Sequence, residues 1–316
     1  MFSKPRLQKF LSLGPNGFHR VAYTEWGSSR SRHVVVCAHG FARNSRDFDA
    51  LAASIAGRRR VVCVDFVGRG DSDWLEKKED YAFSLYLSDA AALLARVTAS
   101  PNIGGFSALV RSVLGLAGTH QIDWIGTSMG GLLGMMLAAK PNSPIRRLVL
   151  NDIGPLIPWS ALLRLKNVYA GLYARFADMD EVEQHLREAC ATFGPLEDRQ
   201  WQHIARYGSR RLEDGRYGLA YDPGIISALR DSRHTGIEFG NDFMFGVDLW
   251  PIWDAVKCPT LVLRGTESDF LLNSTARQMQ QRGPLAQVVE FEGIGHAPWL
   301  MSKDQIRVVR DFIKAR

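Results

Sequence analysis

Residues 122–139 read IDWIGTSMGGLLGMMLAA and combine a strand, a sharp turn and a helix. The apolar run Ile122–Gly126 predicts a buried strand, and the small and apolar residues of Met129–Ala139 predict a helix. Between them, Gly126-Thr-Ser-Met-Gly130 matches the pattern G-x-S-x-G, in which a serine occupies a strained strand-to-helix turn. The flanking glycines remove side chains that would clash there. The pattern therefore predicts Ser128 as a nucleophile whose hydroxyl projects at the carboxyl end of the strand.

Short apolar runs like this one alternate with helical patterns over most of the chain. Continuous β-branched runs predict parallel strands covered on both faces, and strands separated by helices predict a βαβ series. We therefore predict a doubly wound α/β sheet. The predicted strands are His33–His39, Val61–Asp65, Ile122–Gly126, Ile145–Leu150, Cys258–Leu263 and Val288–Phe291.

The alternation stops between residues 153 and 247. Apolar residues in this stretch recur at helical spacing, and no part of it is convincing as a strand. We predict that 153–247 is a helical cap inserted into an α/β core formed by 1–152 and 248–316. A second irregularity is the Gly- and Ser-rich segment 98–119, which precedes the Ile122 strand.

The composition is that of an ordinary globular protein. Of the 316 residues, 46% are hydrophobic and 23% are charged, which excludes disordered, collagen-like and coiled-coil classes. The net charge of +6 comes from scattered basic residues that do not alternate with aromatic ones, so we predict solvated surface charge and no nucleic-acid partner. The N-terminus has no apolar signal segment, and the longest weakly polar run, 125–139, is shorter than the about 20 residues of a membrane span. We expect a cytoplasmic protein without a membrane span.

The cysteines give no sign of a metal centre. None of the four lies in a C-x-x-C pair, so a zinc site of that type is not predicted. We predict that Cys37, Cys63, Cys190 and Cys258 are buried free thiols that pack as small hydrophobic residues.

Two loops follow the first predicted strands. The first contains His39-Gly40-Phe41, at the position that supplies a second oxyanion donor in this kind of sheet, so the backbone N–H groups of Phe41 and Met129 are the predicted oxyanion hole. We predict a structural role for His39, hydrogen-bonded to neighbouring backbone. The glycines of the second loop, Asp65–Ser72, predict a tight turn and not a dinucleotide site, because they do not form G-x-G-x-x-G at the start of a helix.

A serine nucleophile needs a base, and the base needs an acid that orients it. Of the eight histidines, His296 alone combines a Gly-rich loop with the carboxyl end of a strand, and it is the predicted base. The acid is expected between the serine and the histidine in chain order. Asp269 is preferred, because one helix and one short strand fit between it and His296 and would place their loops on adjacent strands. Asp152, which also follows a strand, and the weaker candidate Glu267 remain open.

With these motifs the chain resembles the α/β-hydrolase fold superfamily, in the branch of capped, cofactor-independent, carboxylesterase-like serine hydrolases. The resemblance implies an eight-stranded, mostly parallel sheet in which Ser128 is the nucleophile, His296 the base and Asp269 the acid. A serine at the turn argues against relatives with an aspartate nucleophile, such as haloalkane dehalogenases and epoxide hydrolases. The segments that carry the resemblance are His39–Phe41, Asp65–Ser72, Gly126–Gly131, Arg264–Asp269 and Gly295-His296.

The predicted activity is hydrolysis of a carboxylic ester with small or medium apolar parts through an acyl-enzyme. No metal or organic cofactor is expected, and the predicted partner is a small-molecule ester. A C–C bond hydrolase, a thioesterase or an acyltransferase with the same triad remains open. A ligand-binding receptor on a hydrolase scaffold is a less favoured alternative, because a fold does not determine a function.

Overall fold

A computed structural model describes residues 4–99, 120–170, 174–226 and 246–315. Its strands are β1 (Arg6–Gly14), β2 (Gly17–Gly27), β3 (His33–Ala38), β4 (Arg60–Asp65), β5 (Gln121–Thr127), β6 (Ile145–Asn151), β7 (Leu156–Pro158), β8 (Ser209–Arg211), β9 (Tyr217–Leu219), β10 (Gly246–Asp248), β11 (Thr260–Gly265) and β12 (Gln287–Phe291). Eight of them form one sheet in the order β1-β2-β4-β3-β5-β6-β11-β12. The predicted eight-stranded α/β sheet is therefore confirmed.

From β3 onwards, helices alternate with the strands of the large sheet along the chain, and the last helix follows β12. They are α1 (Asp49–Ile55), α2 (Phe83–Thr98), α3 (Met129–Ala138), α4 (Trp159–Ala170), α5 (Met179–Ala189), α6 (Asp198–Gly208), α7 (Trp250–Ala255), α8 (Asn273–Met279) and α9 (Lys303–Lys314). Successive residues of the central strands enter opposite apolar layers: Val34 and Val36 pack on one side of the sheet, and Val35 and Cys37 on the other. Burial on both faces explains why these strands are apolar throughout.

Six strands of the sheet, β3 to β6 with β11 and β12, pair in parallel, whereas β1 and β2 form an antiparallel hairpin at one edge. This hairpin is absent from the strands predicted from sequence. Its outer strand leaves Leu7, Leu11 and Leu13 exposed, so β1 has no continuous buried run and its hydrophobic residues do not mark a core face.

Cys37, Cys63 and Cys190 are buried free thiols as predicted, but Cys258 is only partly buried.

Between residues 153 and 247, the described part of the chain adds no strand to the large sheet. It contributes helices α4 to α6 and two small antiparallel pairs, β7 with β10 and β8 with β9. The expectation of a stretch without strands is wrong in this respect, because three-residue strands are too short to show a period-two pattern. Residues 100–119 of the Gly- and Ser-rich segment lie outside the described residues. In the part of the chain that is described, no helix is long and apolar enough to cross a bilayer.

Backbone segments approach each other very closely where β5 turns into α3. A Cβ atom added to Gly126 would lie 2.3 Å from the carbonyl carbon of Gly130, and one added to Gly130 would lie 2.1 Å from the carbonyl oxygen of Ala38. Real Cβ atoms do not approach backbone this closely. The glycines of the G-x-S-x-G pattern are therefore required because helix α3 packs directly against β5 and the end of β3.

The loops after β3 and β4 are joined by the buried imidazole of His39. Its Nε2 accepts a hydrogen bond from the N–H of Phe66 at 3.0 Å, and its Nδ1–H donates to the carbonyl of Gly40 at 2.6 Å. The structural role predicted for His39 is thus confirmed. Burial lowers the pKa of His39 to about 3, with the charges of Arg69 and Arg43 acting in the same direction.

The Asp65–Ser72 loop is tight, as predicted. The Asp65 carboxylate accepts hydrogen bonds from the N–H groups of Ser45 and Asp71 at 2.6 and 3.0 Å. A Cβ atom on Gly70, whose φ is 53°, would lie 2.4 Å from Asp65 Cγ. Burial raises the pKa of Asp65 to about 6.

We predict that Gly130→Ala lowers the free energy of unfolding by about 1–3 kcal/mol or more, because the new methyl group forces α3 away from β3. Gly208→Ala, at the end of α6, is the matched control: its methyl group would meet nothing closer than 3.5 Å. Urea unfolding of both variants measures the difference. Equal stabilities of the two variants would contradict the close approach.

We predict that His39→Gln flattens the dependence of stability on pH between 7 and 4.5. Below pH 6.5 the unfolded chain binds a proton at His39, whereas His39 in the folded chain stays neutral down to about pH 3. The stability contributed by neutral His39 is therefore complete above pH 6.5 and falls as the pH drops. The fall approaches about 1.4 kcal/mol per pH unit. Asp65 acts in the opposite direction, since its raised pKa favours folding at low pH and that contribution is lost as the pH rises through 6; it is common to both proteins and cancels.

The measurement is urea unfolding of the wild type and His39→Gln at several pH values. The stability gap between them should shrink as the pH falls. A gap that stays constant from pH 7 to 4.5 would show that His39 is not held neutral in the folded state.

Candidate active site

Ser128 lies at the carboxyl end of β5 in a strained backbone conformation. Its φ of 51° and ψ of −117° are unusual for a residue with a side chain. Its N–H donates to the carbonyl of Asn151 at 3.0 Å, and its own carbonyl accepts from Gly131 and Leu132 in the first turn of α3. The residue is thus held on both sides, between the ends of β5 and β6 and the start of the helix. Strain maintained by the surrounding structure is a common feature of functional sites.

His296, in the loop after β12, contacts this serine. The Ser128 hydroxyl and His296 Nε2 lie 2.9 Å apart, which is hydrogen-bond distance. The imidazole is almost completely buried, and the ring of Phe270 stacks on it with a centroid separation of 4.0 Å and an interplanar angle of 20°. Ser128 and His296, which sequence analysis selected independently, are therefore brought together by the fold.

The carboxylate on the other side of the imidazole is that of Asp152, at the end of β6. His296 Nδ1–H donates to Asp152 Oδ2 at 2.8 Å. The carboxylate also accepts the N–H of Gly265 at 2.9 Å and the hydroxyl of Ser268 at 2.5 Å. With Nδ1 as donor, Nε2 remains an acceptor for the Ser128 hydroxyl. Asp152 is completely buried and has a φ of 57°, which aspartate tolerates better than most residues.

Asp269, the preferred acid in the sequence analysis, does not contact His296. Its carboxylate forms a two-pronged ion pair with Arg164 of α4, at 2.5 and 2.7 Å, and its side chain is about 43% exposed. Partial burial raises the pKa of Asp269, but the hydrogen bonds and charge of Arg164 outweigh this effect and lower it overall. The prediction that Asp269 holds the imidazole is therefore wrong.

The position of Asp152 explains the error. β6 lies next to β5 in the sheet, so a residue at its end is beside the serine turn, whereas Asp269 lies four residues beyond the end of β11. Ser268, and not its neighbour Asp269, is turned towards the imidazole, through Asp152. Glu267 is exposed. The sequence signal for the acid is the polar pair Asn151-Asp152 immediately after an apolar strand.

The predicted oxyanion donors are the backbone N–H groups of Met129 and Phe41. Met129 is the first residue of α3, so its N–H has no acceptor within the helix. Gly40 lies beside the serine from the other direction, because a Cβ atom on it would be 3.6 Å from Ser128 Cβ. The residue that precedes Phe41 is therefore in contact range of the serine side chain.

Metal ligands do not gather at this site or elsewhere in the described ranges, where no three His, Cys, Asp or Glu side chains converge in a way that could hold a metal ion.

Known proteins resemble this chain in both sequence and fold. The sequence pattern of the alpha/beta hydrolase family matches residues 35–309. The chain is 38% identical over 99% of both lengths to a 3-hydroxybutyrate-oligomer hydrolase of Cupriavidus necator. It is 25% identical to an esterase of Mycobacterium tuberculosis, with 93% of this chain and 85% of that protein aligned. A crystal structure of an alpha/beta hydrolase from Novosphingobium aromaticivorans superposes on 99% of both chains with a TM-score of 0.78 and 30% identity. The chain belongs to the alpha/beta hydrolase family and is an enzyme of that family.

Proposed function

We propose that this enzyme hydrolyses carboxylic esters with Ser128 as nucleophile, His296 as general base and Asp152 as the acid that orients the imidazole. The observation that carries the proposal is the continuous hydrogen-bond chain from the Ser128 hydroxyl through both imidazole nitrogens to the buried Asp152 carboxylate. A hydroxyl becomes a nucleophile when an adjacent base removes its proton, and that base works best when a third group holds its tautomer.

The reaction follows from these contacts. His296 Nε2 takes the proton of Ser128 as its oxygen attacks the ester carbonyl, and the imidazolium formed is stabilised by Asp152. The N–H groups of Phe41 and Met129 bind the developing oxyanion, and the N-terminus of α3 adds a favourable dipole. The imidazolium then protonates the leaving alcohol. A water molecule activated by His296 releases the acid from the acyl-enzyme.

The substrate class we propose is an oligoester of a short hydroxy acid. The support is the 38% identity, over almost the whole chain, to a protein named for hydrolysis of 3-hydroxybutyrate oligomers. Such a compound is a carboxylic ester with a small acyl part and a small alcohol part. The direct test is release of 3-hydroxybutyrate from its linear dimer by the purified enzyme, compared with hydrolysis of 4-nitrophenyl butyrate.

We predict that Ser128→Ala lowers kcat on both esters by about 10³-fold or more, because the residual rate then comes only from the oxyanion hole and substrate binding. The loss should occur without a loss of fold, which circular dichroism and the thermal midpoint would verify. Activity close to that of the wild type in a folded variant would rule out Ser128 as the nucleophile.

We predict that Asp152→Asn and Asp269→Asn differ strongly in activity. In Asp152→Asn the amide keeps the shape of the side chain and tolerates the same backbone conformation, but it cannot stabilise the imidazolium, so kcat should fall by up to about 10⁴-fold. Asp269→Asn removes only the charge that faces Arg164, and its kcat should stay within about tenfold of the wild type.

The two variants serve as controls for each other, since each replaces one aspartate near His296 by its amide. Steady-state kinetics at saturating 4-nitrophenyl butyrate, on variants with matched thermal midpoints, makes the comparison. The reverse ranking would assign the acid to Asp269.

A further inference from the structure

Arg69 is a buried cation that the reaction outlined above does not use. It lies in the glycine loop after β4 and is completely buried. Its Nε–H donates to the carbonyl of Phe41 at 2.9 Å, and its Nη1 donates to the carbonyl of Val67 at 2.8 Å. The guanidinium therefore ties its own loop to the Phe41 segment, whose N–H is one of the proposed oxyanion donors.

The third nitrogen of Arg69 has no acceptor among the described residues other than the Tyr86 hydroxyl. Nη2 and this hydroxyl are both buried, and neither has any further partner there. The two groups are neighbours, because the guanidinium carbon lies 4.5 Å from the Tyr86 ring centroid. Burial raises the pKa of Tyr86, and the nearby charge of Arg69 and a side-chain hydrogen bond to it act in the opposite direction. When Nη2 donates one proton to the Tyr86 oxygen, its second N–H and the Tyr86 O–H are left over as adjacent buried donors.

No carboxylate in the described ranges pairs with this guanidinium. Asp222, which acts electrostatically on Tyr86, is already occupied: Oδ2 accepts from Lys78 at 2.5 Å and Tyr81 at 2.7 Å, and Oδ1 accepts from the N–H of Gly224. A buried arginine keeps its charge, which two carbonyls and the faces of the Phe41 and Tyr86 rings stabilise without neutralising it. Arg43, in the loop after β3, differs from Arg69 because its guanidinium forms an ion pair with the Asp47 carboxylate, at 2.6 and 2.8 Å.

An anion of the right size is part of the proposed substrate. The alcohol part of a 3-hydroxybutyrate oligomer ends in a free carboxylate, separated from the ester oxygen by two carbons. Its carboxylate carbon is then about 5 Å from the carbonyl carbon that Ser128 attacks, and a hydrogen bond extends the reach to about 8 Å. On the protein side, the Phe41 N–H is the proposed donor to the oxyanion, and the Phe41 carbonyl accepts a hydrogen bond from Arg69 Nε. The length of this path places Arg69 Nε within about 9 Å of the oxyanion. The two distances are of the same size.

We propose that Arg69 and Tyr86 bind the free carboxylate of an ester whose alcohol part is a short hydroxy acid. Arg69 Nη2 and the Tyr86 hydroxyl donate to this carboxylate. The partly exposed side chain of Phe41, whose ring centre is 5.3 Å from the guanidinium carbon, moves aside to admit it. The inference rests on the proposed ester hydrolysis and adds a preference for the acid end of an oligomer.

The test compares the linear 3-hydroxybutyrate dimer with its terminal carboxamide, which has the same shape without the charge. The wild type should cleave the acid with a kcat/KM at least about tenfold above that of the amide, the range expected for a charge-assisted hydrogen bond. In Arg69→Met this ratio should fall to within about threefold of one. The ratio is the readout, because loss of the Arg69–Phe41 hydrogen bond would lower the rates on both substrates together.

Arg43→Met is the matched control, since it removes a nearby arginine whose charge is already paired, and it should keep the ratio of the wild type. Tyr86→Phe is the second variant and should lower the ratio about threefold or more, even if Arg69→Met does not fold. Free 3-hydroxybutyrate should inhibit hydrolysis of neutral 4-nitrophenyl butyrate competitively, with an inhibition constant about tenfold lower in the wild type than in Tyr86→Phe or Arg69→Met.

A ratio near one in the wild type, or no competitive inhibition by 3-hydroxybutyrate, would overturn the inference whatever the variants do. A ratio that is lost in Arg43→Met and kept in Arg69→Met would also overturn it. Failure of the proposed function looks different, because the wild type would then cleave neither the dimer, its amide nor 4-nitrophenyl butyrate. Cleavage of these esters without preference for the acid contradicts only the carboxylate site.

Discussion

The buried carboxylate of Asp152 connects the parts of the site. Its oxygens accept hydrogen bonds from Gly265 at the end of β11, from Ser268 in the following loop, and from His296 in the loop after β12. The backbone N–H of Asp152 donates to Leu263 of β11. A carboxylate with no access to water must be satisfied by donors within the protein. Meeting that requirement brings three chain segments to one side chain and directs the imidazole at Ser128.

The other half of the site is built from backbone contacts. Helix α3 can start directly behind Ser128 only because Gly126 and Gly130 leave room for the backbones of β5, β3 and the helix to touch. The neighbouring loops after β3 and β4 are held together by side-chain to backbone hydrogen bonds of His39 and Arg69. The serine and the segment beside it are therefore positioned by rigid elements, which is the condition for stabilising a transition state without reorganisation.

Asp269 has a different place in the structure from the one its sequence position suggested. Its ion pair with Arg164 links α4, in the segment predicted as a cap, to the loop after β11. The same guanidinium lies 5.6 Å from the ring centre of Phe270, which stacks on His296. A partly exposed ion pair contributes little to stability.

Local sequence was sufficient for the parallel strands, the serine turn and the choice of His296, since each depends on residues adjacent in the chain. Continuous apolar runs identify strands buried on both faces, and the G-x-S-x-G pattern is one contiguous stretch of sequence. The edge hairpin β1–β2 was not predicted, because its outer strand is exposed to solvent and has no pattern of buried residues. The partner of His296 could not be chosen in this way. Asp152 and Asp269 both follow strands, and only the order of β5, β6 and β11 in the sheet, with the backbone turn at Asp152, decides which carboxylate reaches an imidazole 144 residues away in the sequence.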